Sequence, residues 1–275
     1  MRVLHSNIIR DTVARLCARA HFNLRPDILA LLKAAYKKEK KRQPRDILSA
    51  IIENAAVARS RHLAICQDTG MPTVFLEAGQ ELGFIGDVNK AVQRGVEVGY
   101  QRAYLRNSVV PDPLSRGRPR YSPAIIHTEI KPGKQLRITV LPKGFGCENK
   151  TRLMMFNPTA SVEEIKRFIV KTVEQAGPDA CPPYIVGVGI GGTADYACLL
   201  AKKALLKNFL RPNKKVRLEQ ELLKEINRLN IGPMGLGGLA TALAVSILKF
   251  PTHIAGLPVC VNISCHALRS ATARV

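Results

Sequence analysis

A cysteine stands directly before a glutamine and an aspartate in the segment HLAICQDTGMPTVF, residues 62–75. These residues are Cys66, Gln67 and Asp68, and an apolar, strand-like stretch follows them after Gly70. A thiolate is a strong metal ligand, and a carboxylate can act as a general acid or base toward a group bound beside it. The segment therefore raises two chemical questions: what the thiol holds, and what the aspartate does next to it.

The chain has seven cysteines, scattered along its length: Cys17, Cys66, Cys147, Cys181, Cys198, Cys260 and Cys265. Three of them, Cys66, Cys181 and Cys265, lie at loop-like boundaries in the segments CQDTG, DACPPY and ISCHA. Cys17 and Cys198 lie in helical patterns among alanine and leucine, where buried packing is the usual role. The spacing of the three loop cysteines is neither that of a zinc site nor that of a ferredoxin. Three thiolates brought together by the fold could still hold an iron–sulfur cluster and leave one iron without a protein ligand.

The segment GVGIGG, with Gly187, Gly189 and Gly192, has the G-x-G-x-x-G spacing of a dinucleotide-binding loop. The acidic residue expected about 20 positions later is missing, because that region has the sequence NFLRPNKK. These glycines therefore predict close packing of a strand against a helix rather than a nicotinamide site. His253 in FPTHIAG and Arg106 in YLRNSVVPDP carry, by themselves, no signal beyond that of ordinary surface residues.

Helical periodicity dominates the first 60 residues, as in LRPDILALLKAAYKKEK and PRDILSAIIENAAVARS. A strand is predicted for TVFLEAG, a helix for DVNKAVQRGVEVGYQRAYLR, and a hairpin around Pro132-Gly133. The glycine-rich loop GFGCENKT has backbone amides that could face an anion, and Ser161 with Glu164 forms a capping box. Further along, a buried strand at PYIVGVGIGG precedes helices at TADYACLLAKKALLK and 217–229. This alternation predicts a helix-rich mixed α/β fold.

The 275 residues carry a formal net charge of +21, and 46% of them are hydrophobic. No apolar run approaches the roughly 20 residues of a membrane span, and the N-terminus lacks a signal-peptide core, so we expect a cytoplasmic protein without membrane contact. The excess positive charge indicates an acidic partner subunit, a small polyanionic substrate or nucleic acid. Nucleic acid is the weakest of these predictions, because aromatic residues make up 5% of the chain and tryptophan is absent.

Five motifs in one order, ICQDTG, KGFGCENKT, GPDACPPYIVGVGIGGT, GPMGLGG and THIAGLPVCVNISCHA, resemble those of the iron–sulfur hydro-lyases, class I fumarate hydratase and L(+)-tartrate dehydratase. The resemblance covers essentially the whole chain. It corresponds to the cluster-bearing α subunit of the two-subunit enzymes, which is equivalent to the N-terminal domain of the single-chain ones. It implies one α-subunit domain over 1–275, with a helical part at 1–60 and an α/β cluster-binding part at 61–275.

The resemblance also implies a cofactor and a set of site residues. The cofactor is a [4Fe–4S] cluster with one iron open to substrate, and its implied ligands are Cys66, Cys181 and Cys265, without Cys147 or Cys260. The implied substrate-binding residues are Gln67, Asp68, Arg106 and Gly146, and the implied catalytic residues are Asp68 and His253. In this scheme Asp68 exchanges a proton with the substrate hydroxyl, and Arg106 pairs with a substrate carboxylate.

The implied activity is the reversible hydration of fumarate to (S)-malate with a separate β subunit, in an α2β2 assembly. The alternative within the family is an L(+)-tartrate dehydratase α subunit, which converts tartrate to oxaloacetate. From other classes, the chain could be a basic nucleic-acid-binding protein without catalysis or a cluster-free scaffold that docks a partner. One departure from the family is the loop 116–123, RGRPRYSP, where relatives often have NTGDNTP. Because the family's remaining site residues belong to the β subunit, we expect this chain alone to be an incomplete enzyme.

Overall fold

The computed structural model describes residues 2–210 and 217–275. The chain divides into two compact units, each built from separate stretches of sequence. Unit 1 comprises residues 1–25, 55–145 and 269–275, and unit 2 comprises residues 26–54 and 146–268. Within the part of the chain that is described, no helix is long and apolar enough to cross a membrane.

The described chain contains both helices and strands. The helices are α1 Ser6–Phe22, α2 Pro26–Lys38, α3 Arg42–Arg61, α4 Val88–Arg102, α5 Phe145–Glu148, α6 Val162–Ala176, α7 Ala194–Ala204 and α8 Arg217–Arg228, with a 3-10 turn at Pro233–Gly235. The strands are β1 Arg2–His5, β2 Met71–Gly79, β3 Leu82–Ile85, β4 Ile125–Lys131, β5 Leu136–Lys143, β6 Arg152–Phe156, β7 Tyr184–Gly192, β8 Ala242–Thr252, β9 Leu257–Ser264 and β10 Ala271–Arg274. The mixed α/β class is confirmed, as are the helices predicted for the first 60 residues.

Unit 1 contains a mixed sheet in which the described strands follow the order β10-β5-β2-β4. β2 is parallel to β4 and antiparallel to β5. One core cluster joins residues of this sheet, such as Val74 and Val140, to Val13 of α1 and Val96 of α4, and all four side chains are fully buried. The two helices therefore cover the sheet and supply the other half of the core.

The hairpin predicted around Pro132-Gly133 is wrong. Both strands form, as β4 and β5, but β2 lies between them and pairs with each. The end of β2 enters the turn, where the amide of Gly79 donates to the carbonyl of Gln135 at 2.9 Å. Only glycine fits at position 79, since a Cβ there would lie 2.3 Å from the carbonyl oxygen of Gly133. The local pattern predicted the strands and the turn, but not the remote strand that separates them.

Helices α1 and α4 pack closely because α4 presents glycines to the backbone of α1. A Cβ at Gly95 would lie 2.6 Å from the carbonyl oxygen of Arg10, and one at Gly99 would lie 2.7 Å from that of Ala14. Those distances are shorter than any real Cβ contact, so the two helices approach backbone to backbone. This close pairing also brings the C-terminal ends of α1 and α4 together.

Unit 2 contains a second mixed sheet, with the order β6-β9-β7-β8 among the described strands. Helix α7 lies directly on β7, where a Cβ at Gly187 would be 2.2 Å from the carbonyl oxygen of Ala201 and one at Gly189 would be 2.1 Å from that of Ala197. The close strand–helix packing predicted from GVGIGG is therefore confirmed.

The predicted capping box at the start of α6 is also confirmed. The amide of Glu164 donates to Oγ of Ser161 at 3.2 Å, and the amide of Ser161 donates to Oε2 of Glu164 at 2.8 Å. Behind the cap, α6 and α8 bury Ile169 and Leu222 in one core cluster with β7 and β9.

Candidate functional site

The CQDTG loop connects α3 to β2 in unit 1. Its Cys66 is half-buried and its Gln67 is exposed, and the Cys66 thiol donates to Oε1 of Gln67 at 3.6 Å. Gly70 ends the loop with a φ of +69°, and a Cβ there would lie 2.6 Å from the carbonyl of Lys143. Because only glycine tolerates both conditions, the sequence forces this loop to pass against the end of β5.

The carboxylate of Asp68 is oriented by two backbone amides. Oδ1 accepts from the amide of Gly70 at 3.0 Å, and Oδ2 accepts from the amide of Phe145 at 2.8 Å. The glycine-rich loop was predicted to offer amides to an anion, and one of its amides binds the chain's own aspartate. Because Asp68 is only half-buried, its carboxylate remains able to exchange a proton with a bound molecule.

Arg106 lies just after α4 and is exposed. Its backbone carbonyl accepts a hydrogen bond from the hydroxyl of Thr69 at 2.8 Å. The residue next to Asp68 is thus tied to Arg106, and the structure brings these two predicted site residues onto neighbouring segments of unit 1.

Cys181 and Cys265 lie on neighbouring segments of unit 2. Cys181 precedes β7 and Cys265 follows β9, and these strands are antiparallel with Ile185 opposite Ser264. Both cysteines therefore lie at the same end of the sheet. Both are half-buried, and Cys181 adopts a positive φ of 57°, which a non-glycine residue adopts mainly where the surrounding structure requires it.

The other cysteines differ from these three in their surroundings. Burial raises the pKa of the Cys17 thiol and that of the Cys260 thiol, so both stay protonated and are poor metal ligands. Cys147 is buried and its thiol donates to the carbonyl of Ala180 at 3.3 Å, while Cys198 is half-buried in α7. All seven cysteines lie in the described residues, and none of them forms a disulfide bond.

The donor chemistry of Cys66, Cys181 and Cys265 fits an iron–sulfur cluster, since all three are half-buried cysteines in loops outside the helices and strands. Across residues 2–210 and 217–275, no three His, Cys, Asp or Glu side chains form a group that could hold a metal ion. Cys66 belongs to unit 1, and the other two belong to unit 2. The three-cysteine site therefore stays a prediction.

Two further predicted site residues belong to unit 2. Gly146 lies in α5, where a Cβ would meet nothing within 4 Å, so a ligand could approach its backbone. His253 is exposed in the turn after β8, where its ring Nδ1 accepts from the amide of Ala255 at 3.2 Å. β8 is parallel to β7, so His253 lies at the opposite end of the sheet from Cys181, roughly 27 Å along a strand of this length.

Sequence patterns did not single out the buried polar side chains that contact the CQDTG loop. These are His21, Tyr100 and Arg269. His21 and Tyr100 occupy inward positions of amphipathic helices, where an aromatic ring usually indicates core packing. No local signal could have identified them, because their contacts are made with a loop distant in sequence.

Several known proteins are similar to this chain over nearly its whole length. The family model described as Fumarate hydratase (Fumerase) matches residues 10–274. A protein of Methanocaldococcus jannaschii, provisionally named L(+)-tartrate dehydratase subunit alpha, is 41% identical over 278 residues, covering 97% of this chain and 97% of that protein. The L(+)-tartrate dehydratase subunit alpha of Escherichia coli strain UTI89 is 29% identical over 276 residues, covering 98% and 91%. The protein of that name in strain K12 is 28% identical over 273 residues, covering 97% and 90%.

Proposed function

We propose a function for this chain from the premise that it belongs to the fumarate hydratase family of hydro-lyases. In this proposal it is the α subunit of a two-subunit enzyme. The enzyme dehydrates a hydroxylated four-carbon diacid, and L(+)-tartrate is the first candidate. The observation that carries the choice of substrate is the 41% identity, over 97% of the chain, to a protein provisionally named for tartrate. The sequence alone put fumarate first and tartrate second, and the relatives' names support the reverse order. Fumarate and malate remain the second candidates, since the family model is described by fumarate hydratase.

The proposed cofactor is an iron–sulfur cluster held by Cys66, Cys181 and Cys265. When bound, a cluster with one iron lacking a protein ligand supplies a Lewis acid that eases loss of a substrate hydroxyl. The support for these three cysteines is their partial exposure in loops, together with the adjacent segments that carry Cys181 and Cys265.

The chain's own residues exchange a proton with the substrate and bind it. Asp68, held by the amides of Gly70 and Phe145, exchanges the proton with the hydroxyl that leaves as water. Arg106 pairs with a substrate carboxylate, for which a guanidinium offers two parallel donors. Gln67, exposed beside Asp68, contacts the same substrate.

In this proposal Gly146, where a Cβ would meet nothing within 4 Å, contacts the substrate. His253 stays a predicted catalytic residue. Because β7 and β8 are parallel, His253 and Cys181 of the same chain lie at opposite ends of the sheet. The predicted organisation as one α-subunit domain over 1–275 likewise stays a proposal.

A separate β subunit is the proposed partner. The relatives are named as α subunits, and we infer that this chain reaches full activity only with its β subunit, in an α2β2 assembly. The net charge of +21 suits a dianionic substrate and a partner less basic than this chain.

The proposal is tested by substrate kinetics without oxygen. The chain is co-expressed with the β subunit from the same genome, and kcat/KM is compared for L(+)-tartrate, (S)-malate and fumarate. We expect the highest value for L(+)-tartrate; a higher value for malate or fumarate would move the chain to the second candidate. Absence of turnover for all three diacids in an iron-loaded complex would contradict the proposal.

A matched pair of variants ties the activity to the site. We expect Asp68→Asn to lower kcat by roughly a hundredfold or more while the iron content is unchanged. Asp46→Asn is the control, because Asp46 is an exposed residue of α3 with an ion pair to Arg42, which is also exposed. Equal activity in the two variants would remove Asp68 from the mechanism.

A further inference from the structure

Three buried polar side chains converge on two consecutive carbonyls of the CQDTG loop. The hydroxyl of Tyr100 donates to the carbonyl of Thr69 at 3.0 Å, and Nε2 of His21 lies 2.9 Å from the same oxygen. The guanidinium of Arg269 donates to the carbonyl of Asp68. His21, Tyr100 and Arg269 are only 0%, 1% and 3% exposed. Burying such groups is costly unless they are paired, and each of the three places one polar atom against the loop.

Helix packing places the first two of these side chains. The ring centroids of His21 and Tyr100 lie 5.1 Å apart in an edge-to-face arrangement. His21 also has its Nδ1 2.8 Å from the carbonyl oxygen of Cys17, one turn earlier in α1. The ring is thus fixed between its own helix and the loop.

The Tyr100 hydroxyl stays protonated and can always donate to the Thr69 carbonyl. Burial raises the pKa of the Tyr100 hydroxyl, so the hydroxyl stays protonated. Burial and the charge of Arg269 lower the pKa of His21 to about 4, so its neutral ring donates to only one of its two carbonyl neighbours. The Thr69 carbonyl therefore has a donor from Tyr100 whichever tautomer His21 adopts.

The held backbone connects two of the three predicted substrate-binding residues of unit 1, Asp68 and Arg106. Thr69 is 2% exposed, and its hydroxyl donates to the carbonyl of Arg106 at 2.8 Å. The Asp68 carboxylate is in turn oriented by the amides of Gly70 and Phe145. Movement of the Asp68–Thr69 backbone would therefore displace Asp68 and Arg106 together.

We propose that His21, Tyr100 and Arg269 are positioning residues, which lock the Asp68–Thr69 backbone so that Asp68 and Arg106 face the substrate in one fixed geometry. The catalytic importance of this lock rests on the proposed function, while the lock itself is a property of the chain. A displacement of about 1 Å at reacting groups can cost roughly a hundredfold in rate, so a buried anchor of this kind is expected to affect kcat/KM.

The test uses two variants and a matched control. Tyr100→Phe removes only the hydroxyl that reaches Thr69, and Arg269→Gln removes the charged donor to Asp68. The control is Thr172→Val, which removes another buried hydroxyl that donates to a backbone carbonyl, that of Phe168 at 2.8 Å in α6. Urea unfolding measures the free energy of unfolding of both variants, so that the stability lost in Tyr100→Phe is compared with that lost in the control.

The first readout is hydrogen exchange of the amides of Gly70 and Phe145, measured on the chain itself. We expect up to roughly tenfold faster exchange in Tyr100→Phe and Arg269→Gln, and no selective change in Thr172→Val. The second readout is kcat/KM of the complex with the β subunit, which we expect to fall roughly tenfold to a hundredfold in the two variants only.

Unchanged exchange in both variants would overturn the lock, and faster exchange with wild-type kcat/KM would overturn its positioning role. Failure of the proposed function has a different signature: the wild-type complex would turn over none of the diacids. Faster exchange in the two variants would then still support the lock, because that readout requires neither cluster nor substrate.

Discussion

The backbone amide of His266 donates to the carbonyl of Cys181 at 3.4 Å, and its ring Nδ1 lies 3.0 Å from the same oxygen. His266 directly follows Cys265, so two cysteines far apart in sequence are joined through this residue. The contact fixes the segments at one end of the sheet in unit 2. It also places Cys181 and Cys265 on adjoining segments of the backbone, which spacing along the sequence could not establish.

Serine substitutions at the proposed ligands should remove the cluster. For Cys66→Ser, Cys181→Ser and Cys265→Ser, we expect loss of most iron and acid-labile sulfide from protein reconstituted without oxygen, against about four irons in the wild type. The control is Cys198→Ser, since Cys198 is half-buried like the proposed ligands. Full iron in any of the three variants would remove that cysteine from the ligand set.

Alanine at Gly189 should destabilise the protein. The added Cβ would lie 2.1 Å from the carbonyl oxygen of Ala197, so α7 must move away from β7, and overpacking of this kind costs about 1–3 kcal/mol. Gly256→Ala is the control, because a Cβ there meets nothing within 4 Å. Urea unfolding measures both; equal stabilities would show that the glycines of β7 do not serve close packing.

The sequence predicted local features of the fold well because they depend on neighbouring residues. The helices follow from spacing, and the cap of α6 follows from Ser161 and Glu164, three positions apart. The hairpin failed because the pairing of β4 and β5 is decided by β2, which is distant in sequence. Local patterns contain no information on a strand that inserts between two others.

In the candidate site, too, the local motif was predictable from the sequence and the long-range contacts were not. The motif around Cys66 and Asp68 drew attention to the loop, but the amide of Phe145 that orients Asp68 comes from a distant segment. Tyr100 looks like an ordinary core aromatic in its helix, and only the tertiary structure reveals that its hydroxyl reaches Thr69. Side chains that act through a remote backbone leave no periodic or motif signal.

Loss of the Glu39 carboxylate should destabilise unit 2. Glu39 is 3% exposed, and it accepts from the amides of Lys40, Lys41 and Leu239 at 3.0, 3.1 and 2.7 Å. Glu39→Ala leaves these donors without that acceptor, and we expect a loss of about 2–3 kcal/mol in the free energy of unfolding. Glu53→Ala, at an exposed position of α3, should change it by less than about 0.5 kcal/mol. A similar small change in both variants would contradict a structural role for Glu39.

Protonation of His21 should weaken the fold in mild acid. Burial, with a contribution from Arg269, lowers its pKa to about 4, whereas an unfolded histidine has a pKa of about 6.5. Between these values the unfolded chain binds the extra proton, so the free energy of unfolding falls as pH decreases from about 6.5 to about 4. The full contribution is about 3 kcal/mol, present at neutral pH and lost below about 4.

The measurement is urea unfolding of the wild type, His21→Gln and His5→Gln at several pH values across this window. The glutamine at position 21 cannot take up the proton, so its stability should depend less on pH than that of the wild type. His5 is exposed, and His5→Gln should keep the wild-type slope. An identical slope in all three proteins would mean that His21 titrates alike in the folded and unfolded chains. An NMR titration of the His21 ring decides the same point directly, because a folded-state midpoint near 6.5 would contradict the effect of its burial.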